Sequence, residues 1–136
     1  MVKIIMGLKG SGKTKQLIDL VTKAVEMENG DVVCIEKGPK LTFDIPHKAR
    51  LIYASQSDIE GYEFFRGFLS GLHAGNYDIT HVFIDSLYKI VGDDTSANVD
   101  TFLEWLDRFS EKSNVKFTLT ISADTALASE VIKRFL

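Results

Sequence analysis

A glycine-rich segment at residues 7–14 constrains the fold of this chain more than any other feature. It reads Gly-Leu-Lys-Gly-Ser-Gly-Lys-Thr and fits the pattern Gly-x-x-x-x-Gly-Lys-Ser/Thr at every defined position. An apolar run at residues 2–6 precedes it, and the apolar residues that follow it recur at helical spacing: Leu17, Leu20, Val21, Ala24 and Val25. The pattern therefore predicts a strand, a glycine-rich turn and a helix, in that order.

The remaining sequence alternates between short apolar runs and helical stripes. Runs typical of buried strands occur at residues 32–35, 51–54, 81–84 and 117–121. Further helices are predicted from Ser57, which has capping-box spacing to Glu60, around residues 99–106, and from Asp124 to the end of the chain. The last helix is expected to face the core with Leu127, Val131, Ile132 and Phe135. Residues 37–48 are predicted to form a loop, with a short edge strand at residues 41–43.

This alternation favours an α/β fold, because each crossover helix must pack back onto a mostly parallel sheet. We expect a three-layer α/β/α sandwich that spans residues 1–136 as a single domain. Ligands of such sheets bind at the carboxyl ends of the strands. The predicted strand ends carry Gly7, Glu36, Asp85 and Ser122, so these residues are expected to lie along one rim.

The net charge of the chain disfavours two classes of partner. The formal net charge of -3 and pI near 5.6 disfavour a broadly basic face, so nucleic acid and anionic membranes are not expected partners. The apolar run at residues 2–6 is too short for a signal peptide or a membrane span. The chain has one cysteine, Cys34, which fits a reducing compartment. We expect a cytoplasmic protein.

The glycine-rich segment is the phosphate-binding loop pattern, or Walker A motif, and predicts the P-loop NTPase fold. Its glycines allow backbone N–H groups to surround phosphates, and the following helix adds the positive end of its dipole. Lys13 is predicted to reach the β- and γ-phosphates, and Thr14 to bind Mg²⁺ through its hydroxyl. Lys9 is either an exposed bystander or a further phosphate contact. The predicted nucleotide-binding residues of the loop are Gly7, Leu8, Lys9, Gly10, Ser11, Gly12, Lys13 and Thr14.

Asp85 follows a buried-type apolar run, as the magnesium-binding Walker B carboxylate does. An aspartate after a strand is also a common turn or cap residue. The loop upstream favours the metal-binding interpretation, in which Thr14 and Asp85 hold Mg²⁺.

The run Phe83-Ile84-Asp85-Ser86-Leu87 resembles the Walker B segment of RecA-like ATPases. In that family the catalytic glutamate commonly ends the strand after the P-loop helix, and the resemblance implies this role for Glu36. It also implies that Ser122 is a γ-phosphate sensor, on a strand between the P-loop and Walker B strands. Glu36 is alternatively a solvated carboxylate and Ser122 a structural strand-end residue. Many RecA-like ATPases need a basic finger from a neighbouring subunit, for which Lys133 and Arg134 are the remote candidates.

These features predict an ATP-binding protein that hydrolyses its nucleotide with Mg²⁺, with Lys13 and Glu36 as catalytic residues. ATP is favoured over GTP because the chain lacks an Asn-Lys-x-Asp guanine-recognition motif and because the RecA-like resemblance implies ATP. One alternative is a small ATP-dependent phosphotransferase. Another is a nucleotide-binding switch or assembly subunit with negligible turnover, working with copies of itself or another protein partner.

Overall fold

The computed structural model describes residues 1–39 and 44–136, and the edge strand predicted at residues 41–43 lies outside them. Strands and helices alternate along the chain. The strands are β1 (Val2–Gly7), β2 (Asp31–Glu36), β3 (Ala49–Tyr53), β4 (Ile79–Ile84) and β5 (Lys116–Ser122). The helices are α1 (Lys13–Met27), α2 (Gly61–Gly75), α3 (Leu87–Val91), α4 (Ser96–Ser113) and α5 (Glu130–Lys133), with short 3-10 turns at Ala54–Ser57 and Thr125–Leu127.

The five strands form one sheet in the order β1-β5-β4-β2-β3, and every neighbouring pair is parallel. This confirms the α/β class and the parallel sheet. Parallel pairing is compatible with the lengths of the connections, because parallel strands need a dozen or more residues between them and every pair of successive strands here is separated by that many. All strands therefore end at the same rim.

Apolar side chains cover both faces of the sheet. In β2, Val33 and Ile35 pack in a cluster with α2 and α4, whereas Val32 and Cys34 pack in a second cluster with α1. Successive strand residues point to opposite faces, so a continuous apolar run is what a sheet covered on both sides requires. This arrangement is compatible with a three-layer sandwich.

The start of α2 differs from the prediction. The chain forms a 3-10 turn at Ala54–Ser57, and α2 begins at Gly61 without a side-chain cap. Asp58 and Gly61 have φ values of 52° and 80°, so the backbone cannot follow a helical path from Ser57. The predicted capping box is therefore wrong.

The predicted last helix is divided into two short turns. Asp124 accepts a hydrogen bond from the Ala126 N–H and starts the 3-10 turn, and Ser129 caps α5 by accepting one from Ile132 N–H. Ile132 is buried as expected, but Leu127 is 79% exposed because the break removes it from the apolar stripe.

Candidate functional site

A cavity of about 590 Å³ lies at the carboxyl ends of the strands. The loop between β1 and α1 contributes Lys9, Gly10, Gly12, Lys13 and Thr14 to its wall. The other strand ends contribute Glu36, Asp85 and Ser122. Three of the four strand-end residues singled out from the sequence thus line one cavity, and the fourth, Gly7, pairs in register with Ser122.

The loop reverses direction through two left-handed residues. Gly10 and Gly12 have φ values of 84° and 85°, a region that costs about 1–2 kcal/mol for residues with a Cβ atom. Ser11 N–H donates to the Leu8 carbonyl over 3.1 Å, and α1 begins directly after Gly12. The loop therefore leads directly into the first turn of α1, a 15-residue helix. The N–H groups of this first turn have no partner within the helix and favour an anion.

Gly7, Leu8 and Ser11 shape the loop without contributing to the described cavity wall. A Cβ atom on Gly7 would lie 2.5 Å from Ser11 Oγ, so this position accepts only glycine without a shift of Ser11. The Leu8 side chain is 60% exposed. Gly7, Leu8 and Ser11 were predicted to bind the nucleotide. In the structure they affect the cavity through the path of the loop backbone and not through their side chains.

Lys13 is folded back across the loop. It is 8% exposed, and its Nζ donates a hydrogen bond to the Leu8 carbonyl oxygen over 2.9 Å. A buried ammonium group requires an oxygen acceptor. The positive charge of Lys13 is therefore fixed inside the bend of the loop and next to the cavity.

Asp85 is held at the rim by the neighbouring strand. Its Oδ1 accepts a hydrogen bond from Thr120 Oγ1 over 2.9 Å, and its N–H donates to the Ile35 carbonyl over 2.9 Å. Thr120 Oγ1 also accepts from Ser86 N–H over 2.7 Å. Asp85 and Thr120 are 8% and 1% exposed, so this carboxylate has a fixed and largely dehydrated position.

Glu36 ends β2, the strand next to β4, and is 3% exposed. It is therefore not the solvated surface carboxylate that the sequence left open. Adjacent strands lie about 4.8 Å apart, so Asp85 and Glu36 stand roughly 10 Å and 14 Å from the line of β1. Two buried carboxylates thus line the same cavity as the glycine-rich loop.

The electrostatic effect of both carboxylates reaches Cys34. Burial raises the pKa of the Cys34 thiol far above its usual range, and the negative charges of Asp85 and Glu36 raise it further. Cys34 is fully buried in β2. It is thus a core residue and not a reactive thiol.

Sequence reasoning did not find several residues of the cavity wall. Lys37 follows β2, and Ser86 and Lys89 belong to the segment after β4. Lys89 was missed because α3 has only five residues, too few to show a helical period. No local pattern in the sequence distinguished it from a surface lysine.

The remote finger candidates lie elsewhere. Lys133 Nζ is 3.2 Å from Glu130 Oε1, and the Arg134 guanidinium lies 5.5 Å from the centre of the Phe135 ring. Neither residue belongs to the described cavity wall. A charged helix end, the simpler alternative, accounts for both.

The residues present fit a magnesium ion only in a site completed by phosphate oxygens. Within residues 1–39 and 44–136 there is no group of three or more histidine, cysteine, aspartate or glutamate residues that could hold a metal. Mg²⁺ usually keeps several waters and binds one or two carboxylates together with substrate phosphates. Asp85 with the Thr14 hydroxyl at the same cavity meets that smaller requirement.

No helix in the described part of the chain is both long and apolar enough to cross a membrane. Comparison of the sequence with protein-family models gave no match, and no curated protein is significantly similar to it.

Proposed function

We propose that this chain is a P-loop protein that binds ATP with Mg²⁺ and hydrolyses it, in the manner of a minimal RecA-like ATPase. One observation carries the proposal. The glycine-rich loop with its buried lysine shares a cavity with two buried strand-end carboxylates, Glu36 and Asp85. Phosphoryl transfer to water needs these elements together, namely an anion cradle, a metal-binding carboxylate and a group that orients the water.

The roles follow from the chemistry of each group. The loop N–H groups and the first turn of α1 bind the phosphates, and Lys13 exchanges its bond with the Leu8 carbonyl for phosphate oxygens. Thr14 and Asp85 would hold Mg²⁺, which when bound would neutralise negative charge on the phosphates. Glu36 orients the attacking water and accepts its proton.

Strand order supports the same assignment. β5 lies between β1 and β4, so Ser122 lies between the loop and Asp85 along the rim. Its exposed hydroxyl is suited to a hydrogen bond with the terminal phosphate. Lys9, also exposed on the cavity wall, supplies a further cation from the loop.

The test is Mg²⁺-dependent phosphate release from ATP by the wild-type chain and by Glu36→Gln. Calorimetry first measures ATP binding by both proteins. We expect equal binding and a loss of hydrolysis of about a hundredfold or more in Glu36→Gln, in the range of general base catalysis. Equal hydrolysis by both would exclude the role of Glu36, and binding without hydrolysis by either would favour the switch function. GTP run in parallel tests the preference for adenine.

A second cavity favours one alternative, the small phosphotransferase. This cavity of about 400 Å³ adjoins the first and shares Lys37 and Lys89 with it. Its wall also carries Asp58 and Glu60, which could bind hydroxyl or ammonium groups of an acceptor. A screen of such acceptors with γ-labelled ATP distinguishes the two functions, since only a phosphotransferase labels an acceptor.

A further inference from the structure

Another cavity, of about 570 Å³, lies along the free edge of the sheet and is referred to below as the edge cleft. β1 is an outer strand of the sheet, with β5 as its neighbour. The volume of the edge cleft is in the range of small-molecule sites. The edge cleft is lined by residues 3–6 of β1, by Gln16, Asp19 and Leu20 of α1, and by Thr125 and Leu136.

The backbone of β1 presents an unpaired acceptor and an unpaired donor to the edge cleft. The Gly7 carbonyl accepts from Ala123 N–H, whereas Ile4 N–H donates to the Phe135 carbonyl over 2.8 Å and so points away from β5. Alternate residues of a strand direct their N–H and C=O groups to the same side, so Ile4 C=O and Met6 N–H also point to the open edge. Within residues 1–39 and 44–136, neither of these two groups has a hydrogen-bond partner.

This pair of backbone groups matches the hydrogen-bonding edge of a nucleobase. In an extended strand, the C=O of one residue and the N–H two positions later lie side by side, as they do toward a neighbouring strand. A nucleobase offers the complementary pair, a donor beside an acceptor, which in adenine are the N6 amino group and N1. Ile5 and Leu20 are half-buried and give the cleft apolar walls for the faces of a ring.

The edge cleft lies next to the glycine-rich loop. Met6 lines the cleft and directly precedes Gly7, where the loop begins. Gln16 also lines it and follows Thr14 by two residues, which is about 3 Å along the axis of α1. The loop itself lines the main cavity, so its two ends lead from one cavity to the other.

The order of the strands gives the direction in which a bound nucleotide would extend. In the proposed function, Glu36 and Asp85 act at the terminal phosphate, which therefore lies toward β2 and β4. β1 lies on the other side of β5, at the edge of the sheet. Because the base is attached at the opposite end of the triphosphate, a nucleotide in this orientation places its base toward the edge cleft.

We infer that the edge cleft binds the nucleobase of the nucleotide whose phosphates the glycine-rich loop holds. This inference rests on the proposed function. With adenine, the N6 amino group donates to the Ile4 carbonyl, and N1 accepts from Met6 N–H. Both protein groups belong to the backbone, so a base site of this kind leaves no recognition motif in the sequence.

The experiment measures affinities by calorimetry with Mg²⁺ for ATP, N6,N6-dimethyl-ATP and inorganic tripolyphosphate. The dimethyl analogue has no N–H at N6, and tripolyphosphate has no base. The variant Leu20→Gln replaces one apolar wall of the cleft. Its matched control is Met27→Gln, on the same helix but 80% exposed and outside the cleft. Circular dichroism verifies that both variants are folded.

We expect the wild type to bind ATP at least about tenfold more tightly than tripolyphosphate, and the dimethyl analogue about tenfold more weakly than ATP. Leu20→Gln should lower ATP affinity about three- to tenfold and leave tripolyphosphate affinity unchanged. Met27→Gln should match the wild type for all three ligands.

Equal affinity of the wild type for ATP and tripolyphosphate, or for ATP and its dimethyl analogue, would overturn the base site and leave the loop as a phosphate site. Equal losses for ATP and tripolyphosphate in folded Leu20→Gln would also overturn it. The comparisons with the wild type need no variant, so they test the inference even if Leu20→Gln does not fold. A wild type that binds neither ATP nor tripolyphosphate would overturn the proposed function itself.

Discussion

The Thr120 hydroxyl donates a hydrogen bond to Asp85 Oδ1 over 2.9 Å. This bond joins β5, which contains Thr120, to the residue that directly follows β4. The same hydroxyl accepts from Ser86 N–H, at a residue whose φ of 63° is unusual for serine. One buried oxygen therefore fixes both the carboxylate and the turn that leads into α3. The position of Asp85 depends on β5 as much as on β4.

We predict that Thr120→Val lowers the free energy of unfolding by about 1–3 kcal/mol, because Ser86 N–H and Asp85 Oδ1 both lose a buried partner. Urea unfolding followed by circular dichroism measures this loss. Thr120→Ser keeps the hydroxyl and should recover most of it.

The same pair of variants separates a positioning role from a purely structural one. If Thr120 orients Asp85 toward Mg²⁺, Thr120→Val needs more Mg²⁺ for half-maximal ATP binding, whereas Thr120→Ser does not. An unchanged Mg²⁺ dependence in a folded Thr120→Val protein would limit Thr120 to a structural role.

The strand ends were predictable from the sequence, whereas most supporting contacts were not. Glu36, Asp85 and Ser122 each follow a recognisable apolar run, and parallel strands end at one rim, so their placement at one cavity was foreseen. Thr120 was not singled out as an anchor, because threonine is common in strands and its partner is 35 positions away. Spacing along the chain gives no strand order, and the contact depends on β5 lying beside β4.

The errors arose where local signals competed. The capping-box spacing at Ser57 was overridden by the left-handed backbone at Asp58 and Gly61. The stripe that included Leu127 was interrupted because Asp124 and Ser129 each cap a separate turn. In both places the spacing of the side chains predicted a continuous helix, but the backbone conformation interrupts it.

Substitution of Gly12, which has a left-handed backbone, tests the cost of the backbone conformation without any change in packing. A Cβ atom at Gly12 would contact nothing within 4 Å, but the φ of 85° is costly for alanine. Gly12→Ala should therefore lower the free energy of unfolding by about 1–2 kcal/mol. We also expect weaker ATP binding, because relief of this strain moves the loop N–H groups.

Gly67 in α2 provides the control for Gly12→Ala. A Cβ atom at this position also has no neighbour within 4 Å, and the residue lies inside a helix. Gly67→Ala should stabilise the protein by about 0.5–1 kcal/mol, the ordinary gain of alanine in a helix. Urea unfolding of both variants should thus give changes of opposite sign, and equal signs would contradict the conformational argument.

A buried histidine network predicts loss of stability in mild acid. His81 Nδ1 lies 2.7 Å from Glu28 Oε2, and His81 Nε2 lies 2.9 Å from Thr118 Oγ1. Burial lowers the pKa of His81 and outweighs the opposing effect of Glu28, while nearby Lys116 and the amino terminus lower it further. The folded protein thus takes up a proton at His81 less readily than the unfolded chain does.

The free energy of unfolding should consequently be highest above about pH 6.5, the pKa of histidine in unfolded chains, and fall as the pH decreases. Urea unfolding between pH 8 and pH 5 measures this slope. His81→Gln should reduce it, whereas His47→Gln, at an exposed position, should leave it unchanged. If the free energy of unfolding falls equally steeply with decreasing pH in wild type and His81→Gln, groups other than His81 cause the acid sensitivity.

The burial of Cys34 makes it a reporter of opening at the candidate site. It lies in β2 two residues before Glu36, is fully buried, and has a thiol pKa raised by burial and by Asp85 and Glu36. It is the single cysteine of the chain, so a thiol reagent labels one position. We predict negligible labelling of the folded protein and complete labelling in urea.

Nucleotide should slow this labelling if β2 and the glycine-rich loop open together. A ligand at a hundred times its dissociation constant stabilises the folded state by about 2.7 kcal/mol, equivalent to about a hundredfold lower population of the open form. Labelling followed with increasing Mg²⁺-ATP should therefore slow in proportion when closing is faster than reaction. A constant labelling rate despite ATP binding shown by calorimetry would mean that β2 opens without disturbing the nucleotide. In that case β2, which carries Glu36, would open independently of the glycine-rich loop.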